Sequence, residues 1–145
     1  MNTQGRLWVS AFMVLAALVC SSQPASAQRP ININKVRLGT EYINGEVKGG
    51  YGNSIFRPQD YVIYCVAGIS NPSAEAKYRF VWLFYDTAQR QDKQIFEQEL
   101  INQTDKDVVG KISSTHDWPL GHYRVEIWVN GRRVAQRPMT IMKDE

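Results

Sequence analysis

The chain has 145 residues, with 43% hydrophobic residues, 11% aromatic residues and a formal net charge of +3 at pH 7. A chain of this length suits a single domain with one hydrophobic core. The charge is too small, and too evenly spread along the chain, to indicate a nucleic-acid-binding protein.

Residues 1–27 have the pattern of a secretory signal peptide. Arg6 gives a positive start, Leu7–Cys20 (LWVSAFMVLAALVC) is a nearly continuous apolar run, and Ala25–Ala27 is a small-residue A-x-A site. The apolar run is too short for a comfortable membrane span, which needs about 20 residues. We therefore expect cleavage before Gln28 and a mature protein that is periplasmic or secreted, with no stable membrane insertion.

The two cysteines affect how the mature protein is held together. Cys20 suggests a lipid anchor as an alternative, but bulky Val19 precedes it where a lipoprotein signal has a small residue. Cys65 is the only cysteine in the expected mature domain, Gln28–Glu145, so no internal disulfide is possible there. A single thiol in an apolar strand is most often buried, and pairing with another chain remains the alternative.

The sequence pattern of the mature chain predicts a series of short β-strands separated by turn residues. The strands are expected at Ile31–Leu38, Glu41–Ile43, Glu46–Lys48, Tyr61–Ile69, Tyr78–Tyr85, Gln94–Asn102, Val108–Ser113, Tyr123–Val129 and Arg132–Met142. Such a series indicates an all-β fold, a single antiparallel β-sandwich.

The first strands contain local signals for a bulge, a turn and a loop. The apolar positions of the first strand change phase near Asn34-Lys35, which predicts a bulge. Asn44-Gly45 suits a type I′ hairpin turn. Gly49–Pro58 is expected to be a loop, and the nearly all-apolar Tyr61–Ile69 is expected to be a central strand covered on both faces.

The aromatic strand Tyr78–Tyr85 has two distinct faces. Alternation places Tyr78, Phe80, Trp82 and Phe84 on one face, with Arg79, Val81, Leu83 and Tyr85 on the other. Because the first of these sets is entirely aromatic, we expect it to face the core.

The next segment, Gln94–Asn102, is ambiguous between strand and helix. Its polar QIFEQELI sequence contains good helix formers, which keeps a helix open. We favour a strand, in which Glu97 and Glu99 share one polar outer face.

The end of the chain predicts a hairpin. Asn130-Gly131 is a type I′ turn signal between Tyr123–Val129 and Arg132–Met142. In the first of these strands the odd-numbered residues form an apolar face, and Arg124, Glu126 and Trp128 lie opposite.

The same segment supports a family resemblance. The run Trp118–Glu126 (WPLGHYRVE), followed by a strand, Asn-Gly and a last strand, resembles the closing segment of bacterial immunoglobulin-like domains, where a W-P-x-G-x-Y-x-V stretch opens the penultimate strand. Trp82 resembles the core tryptophan of that fold. The resemblance covers about the last two thirds of the chain and implies a disulfide-free immunoglobulin-like sandwich. It implies nothing specific about function, because this fold supports many unrelated activities.

The residue types of a hydrolase triad occur together, but in the wrong arrangement. Ser113, Ser114, His116 and Asp117 lie within five positions, whereas triads are assembled from separated segments. We interpret the cluster as a turn. No histidine or cysteine spacing matches a zinc site, and Asp105 and Asp107 lack the rest of a calcium loop. The sequence therefore predicts no catalytic residue, no metal site and no cofactor.

The outer face of the sandwich is the best candidate for function. If Trp82 and Tyr123 face the core, five residues meet on the outside beside Arg79: Val81, Leu83, Tyr85, Arg124 and Trp128. Aromatic, aliphatic and arginine side chains together are typical of protein interfaces. The leading hypothesis is a non-catalytic exported binding or assembly module with a protein partner or a second copy. Two alternatives stay open, a loop such as Gly49–Pro58 covering this face, and a carbohydrate- or small-ligand-binding domain that stacks its ligand on Trp128 and Tyr51.

Overall fold

A computed structural model describes residues 29–52, 54–101 and 104–144. The expected signal peptide and its cleavage site lie outside the described residues. Ten strands follow one another along the chain: β1 Asn32–Gly39, β2 Glu41–Ile43, β3 Glu46–Lys48, β4 Ile55–Phe56, β5 Val62–Ser70, β6 Tyr78–Asp86, β7 Gln91–Leu100, β8 Asp107–Ser113, β9 Gly121–Val129 and β10 Arg132–Ile141. Within the described ranges there is no helix that is long and apolar enough to cross a membrane.

The strands pair into two sheets that pack face to face. The smaller sheet has the order β1-β5-β8, and the larger sheet has the order β4-β10-β9-β6-β7. All pairings in them are antiparallel except that of β4 with β10, which is parallel. Strands β2 and β3 form a separate hairpin. The all-β sandwich predicted from the sequence is confirmed.

The core lies between the two sheets and is built from alternating residues of their strands. Trp82 is fully buried there, so its predicted core position is confirmed. The same cluster contains Cys65 from β5, Val125 and Ile127 from β9, and Ile141 from β10. The strand β5 is central in its sheet, as its apolar sequence predicted.

Local signals in the sequence placed the turns and the bulge correctly. The register of β1 against β5 shifts between Ile33 and Lys35, where the bulge was expected. Both Asn-Gly turns have left-handed backbone conformations, with φ of 51° and 80° at Asn44 and Gly45 and of 50° and 78° at Asn130 and Gly131. These values match a type I′ turn, which needs positive φ at both central residues.

The segment expected to be the loop Gly49–Pro58 is partly a strand, which corrects that expectation. Ile55 and Phe56 pair in parallel with Thr140 and Ile141, and the Phe56 side chain is fully buried. A strand of two residues is too short to produce a periodic pattern, so the sequence contained no signal for it.

The strand interpretation of the ambiguous segment is confirmed, with an earlier start than expected. β7 spans Gln91–Leu100 and pairs along its length with β6. The backbone groups that β6 offers outweigh the helical preference of Glu, Gln and Leu, since such preferences amount to less than about 1 kcal/mol per residue.

Candidate functional site

The outer face of the larger sheet carries all five residues selected from the sequence. In the β6–β9 register Arg79 is opposite Trp128, Val81 is opposite Glu126 and Leu83 is opposite Arg124. Trp82, which lies between Val81 and Leu83, is fully buried in the core. Val125, which follows Arg124, is fully buried there as well. Alternation along the strands therefore places Val81, Leu83, Tyr85, Arg124 and Trp128 on the side away from the core.

These five side chains differ in how accessible they are. Tyr85 is 38% exposed, whereas Val81 is only 5% exposed; Leu83, Arg124 and Trp128 are half-buried. Val81 lies between Glu97 and Glu126 on the neighbouring strands, so the sheet's own side chains flank it. The Gly49–Pro58 segment extends the edge of the sheet through β4.

Glu126 is the central residue of this face. Its side chain is buried, with a residue exposure of only 5%. Oε1 accepts hydrogen bonds from Arg124 Nε (3.1 Å) and Arg133 Nη1 (3.0 Å), and Oε2 accepts one from Trp128 Nε1 (3.1 Å). The Nη2 atom of Arg124 also lies 3.0 Å from Oε1. A buried carboxylate needs such partners, because leaving it unpaired would be costly.

The balance of these interactions sets the acidity of Glu126. Burial by itself would raise the pKa of the carboxyl group. The hydrogen bonds from Arg133, Trp128 and Arg124, together with the charge of Arg124, outweigh burial and leave the pKa of Glu126 below its ordinary value. Glu126 is therefore ionised at neutral pH and holds its three partners in place.

Two further ion pairs extend this arrangement to the edge strand β7. Arg124 Nη1 lies 2.8 Å from Asp92 Oδ2, and Arg79 Nη1 lies 3.7 Å from Glu97 Oε1. The guanidinium carbon of Arg79 is 4.7 Å from the ring centroid of Trp128, a cation–π contact. We call the set of Arg79, Asp92, Glu97, Arg124, Glu126, Trp128 and Arg133 the outer network.

The central position of Glu126 and the contribution of Arg133 were not among the features predicted from the sequence. A signal for both was present in the chain. Arg124, Glu126 and Trp128 alternate on one strand face, and the Asn-Gly turn sets the register that places Arg133 opposite Trp128. Alternation alone, however, leads to the expectation that such a glutamate is exposed.

The two aromatic residues of the ligand-binding hypothesis do not form one platform. Tyr51 bridges to Ile55, which pairs with Thr140 near the end of β10, whereas Trp128 is opposite Arg133 near its start. At about 3.3 Å per residue these positions are about 20 Å apart. Arg57 also lies over the Tyr51 ring, 4.8 Å from its centroid.

The residues of the apparent triad are close together but do not face one another. Ser114 Oγ donates a hydrogen bond to the backbone oxygen of His116 (2.6 Å), and His116 Nδ1 lies 2.9 Å from Thr115 Oγ1. Asp117 instead accepts a hydrogen bond from the Tyr61 hydroxyl (3.0 Å), which raises the pKa of Tyr61. The segment is a turn in which these polar groups stabilise the backbone.

The remaining candidate groups are the possible metal ligands and the Cys65 thiol. In the described part of the chain no three His, Cys, Asp or Glu side chains are grouped to hold a metal ion. Cys65 is a free thiol with no exposed surface. Burial raises its pKa, so at neutral pH it is a protonated and poorly nucleophilic thiol.

Comparisons with known proteins establish the fold. The chain is similar to an immunoglobulin-like protein from Pseudomonas aeruginosa, with a TM-score of 0.56 and 12% identity over 80% of this chain and 99% of that one. It is also similar to the alkylpurine DNA glycosylase AlkC from Pseudomonas fluorescens bound to DNA containing an abasic site analogue. In that case the TM-score is 0.48 and the identity 8%, over 77% of this chain and 30% of the glycosylase.

The first of these similarities confirms the immunoglobulin-like sandwich that the Trp118–Glu126 segment implied. At 12% identity the similarity concerns the fold alone. No protein-family model and no curated protein sequence matches the chain, which agrees with the absence of a narrower resemblance in the sequence.

Proposed function

We propose that the mature protein is an exported, non-catalytic binding or assembly module that contacts a protein partner, or a second copy of itself, through the outer face of its larger sheet. The observation that carries this proposal is the outer network, in which buried Glu126 fixes Arg124, Trp128 and Arg133 on one surface. Side chains already held in position lose little conformational freedom on binding, so more of the contact energy becomes affinity.

The chemistry of this surface indicates what the partner offers. Trp, Tyr and Arg are the residue types that most often dominate the energy of protein interfaces. Tyr85 is 38% exposed and Trp128 is half-buried. Arg79 lies over the Trp128 ring, with about a third of its own side chain exposed. The complementary surface therefore combines apolar groups for the rings with acceptors for the arginines.

Trp128→Ala tests this proposal. The substitution removes the ring from the accessible face, and we expect association to weaken about tenfold or more. Sedimentation velocity measures self-association, and pull-down from a native extract, with wild-type and variant protein as bait, measures binding of another protein. The loss of folding stability should be about 1–3 kcal/mol, since a hydrogen bond to the charged Glu126 carboxylate and the cation–π contact with Arg79 disappear.

Two other variants serve as controls. Tyr51→Ala removes an aromatic residue that is 49% exposed but lies at the other end of the sheet, and it should leave association unchanged. Trp82→Ala removes the buried core ring and should cost about 3–5 kcal/mol of stability. Unchanged association of Trp128→Ala would overturn the proposal, and equal weakening by Tyr51→Ala would point instead to ligand binding by exposed aromatics.

A further inference from the structure

A groove lies between the start of β7 and the connection from β8 to β9. Its volume is about 440 Å³, and strands β6, β7 and β9 contribute Phe84, Lys93, Ile95 and Tyr123 to its lining. The β8–β9 connection contributes the rest: Ser114, His116, Asp117, Trp118 and Pro119. The volume lies within the range of small-molecule sites.

A β-bulge shapes the wall of this groove. Trp82 pairs with Phe96 and Leu83 pairs with Gln94, so Ile95 is the extra residue in β7. Ile95 is 38% exposed although it is apolar. Lys93 is opposite Phe84 in the register, so its side chain leaves β7 on the same side of the sheet as the Phe84 ring.

The floor of the groove is a rigid aromatic cluster. The Phe84 and Tyr123 ring centroids are 4.8 Å apart, and those of Trp118 and Tyr123 are 6.3 Å apart in an edge-to-face arrangement. The Trp118 indole N–H donates to the Asp60 carbonyl oxygen (2.7 Å), and the Tyr123 hydroxyl donates to the Pro119 carbonyl oxygen (2.7 Å). The polar atoms of these two rings are thus already paired, and the carbon atoms of the rings form an apolar floor.

The groove lining contains two charged side chains, those of Lys93 and Asp117. Among the described residues no carboxylate oxygen lies within 4.0 Å of the Lys93 ammonium group. The carboxylate of the other charged lining residue, Asp117, accepts hydrogen bonds from Tyr61 and Gln59. An exposed lysine without a counter-ion beside an apolar floor is complementary to a ligand that has one negative group on an apolar body.

We propose that this groove binds a small organic anion with a planar apolar ring body, such as an aromatic carboxylate or sulfonate. The ring body packs against Ile95 and the aromatic floor, and the anionic group pairs with Lys93. This site is independent of the outer network, since Phe84 and Lys93 lie on the opposite side of the sheet from Leu83 and Arg124.

A pair of related probes tests both parts of this recognition. The fluorescent probe 8-anilinonaphthalene-1-sulfonate has the required ring body and anionic group, and N-phenyl-1-naphthylamine has the same rings without the charge. We expect saturable binding of the sulfonate with one site per chain. Lys93→Gln should weaken that binding about fivefold, the size of a partly exposed ion pair, and should leave binding of the uncharged amine unchanged.

Matched variants locate the binding. Lys111→Gln removes an exposed lysine from the adjacent strand β8, outside the groove lining, and should change neither affinity. Ile95→Asp places a negative charge on the groove wall and should abolish sulfonate binding. In ¹H–¹⁵N spectra the indole signal of Trp118 should shift on titration while that of Trp128 stays in place.

Three results would overturn the proposal: no saturable binding, equal weakening by Lys93→Gln and Lys111→Gln, or shifts centred on Trp128. All the variants used here change exposed residues, so loss of binding through unfolding is not expected. Circular dichroism of each variant checks that the sandwich is intact.

Discussion

Glu126 shows how one residue can organise a protein surface. It lies on an otherwise polar strand face, yet its side chain is buried because donors from Arg124, Trp128 and Arg133 converge on its two oxygens. Removing a carboxylate from water is costly, and here several charge-assisted hydrogen bonds offset that cost. The consequence is a tryptophan and two arginines held at fixed positions on the outside of the sheet.

Glu126→Gln should make the stability of the protein less dependent on pH. The folded pKa of Glu126 lies below its ordinary value of 4.5, so its charge stabilises the fold fully above the unfolded pKa, and this stabilisation is lost as the pH falls through the folded pKa. At pH 7 we expect the variant to be less stable by about 1–3 kcal/mol. The difference in unfolding free energy between the variant and the wild type should become smaller once the pH is well below 4.5.

Urea unfolding at pH 7 and at pH 3 measures this difference. Glu97→Gln is the matched control, because Glu97 is more exposed and its carboxylate lies 3.7 Å from Arg79. A surface pair of that kind contributes about 0–1 kcal/mol. A gap between Glu126→Gln and the wild type that is the same at both pH values would contradict the assigned role of the charge.

At the scale of single elements, the turn that precedes β9 is tied to the strand by a side chain. The Tyr123 hydroxyl donates to the Pro119 carbonyl oxygen four residues earlier (2.7 Å), and burial raises the pKa of Tyr123 to about 12. This is the tyrosine corner found in immunoglobulin-like sandwiches, where a tyrosine early in the penultimate strand bonds back to the preceding turn. It fixes the entry of β9 and the aromatic floor of the groove together.

Tyr123→Phe should lower the free energy of unfolding by about 1–2 kcal/mol, since the ring contacts remain and a partly buried carbonyl loses its donor. Tyr61→Phe removes the same atom from a residue that is 44% exposed, where water can replace the lost hydrogen bond to Asp117. Tyr61→Phe should therefore lower the free energy of unfolding by clearly less than Tyr123→Phe does. Chemical denaturation of both variants measures the difference, and equal costs would mean that the corner adds no stability.

The edge strands illustrate a second effect at this scale. The Gln98 side chain of β7 accepts a hydrogen bond from the Lys111 backbone N–H of β8 (3.0 Å). Its oxygen occupies the place that a carbonyl of an added strand would take. β7 itself carries charged residues and a bulge, features that discourage edge-to-edge pairing. Side chains therefore protect the edge strands β7 and β8 from pairing with another strand.

At the scale of the whole molecule, the sandwich separates two surfaces of different character. The outer network is a polar and aromatic surface on the outside of the larger sheet, and the groove lies on the other side of that sheet, beside the connection from β8 to β9. Both depend on β7, which supplies Asp92 and Glu97 to the network and Lys93 and Ile95 to the groove. Because successive side chains of a strand point to opposite faces of the sheet, residues of β7 contribute to both surfaces.

The mature protein is expected to begin at Gln28, because Ala25–Ala27 provides small residues at the positions that signal peptidases recognise. Intact-mass measurement of the exported protein checks this. Ala27→Leu is the control, since a bulky residue at that position should leave the precursor uncleaved. A retained Met1, or a lipid mass on Cys20, would contradict the prediction.

Much of the fold follows from local signals in the sequence. Period-2 alternation identified β6 and β9 and placed Trp82 and Tyr123 in the core, and Asn-Gly dipeptides placed both hairpin turns. These features are readable because each depends on neighbouring residues, through side-chain direction and backbone conformation. The same alternation placed Val81, Leu83, Tyr85, Arg124 and Trp128 on one outer face.

The tertiary structure alone decided the parallel pairing of β4 with β10, the burial of Glu126 and the groove below Lys93. Ile55–Phe56 has no periodic pattern, and its partner lies far along the chain. Glu126 is buried because side chains from its own strand and from β10 meet above it. The groove exists because the connection from β8 to β9 lies beside the start of β7. Each of these features depends on contacts between distant segments, which local sequence patterns do not specify.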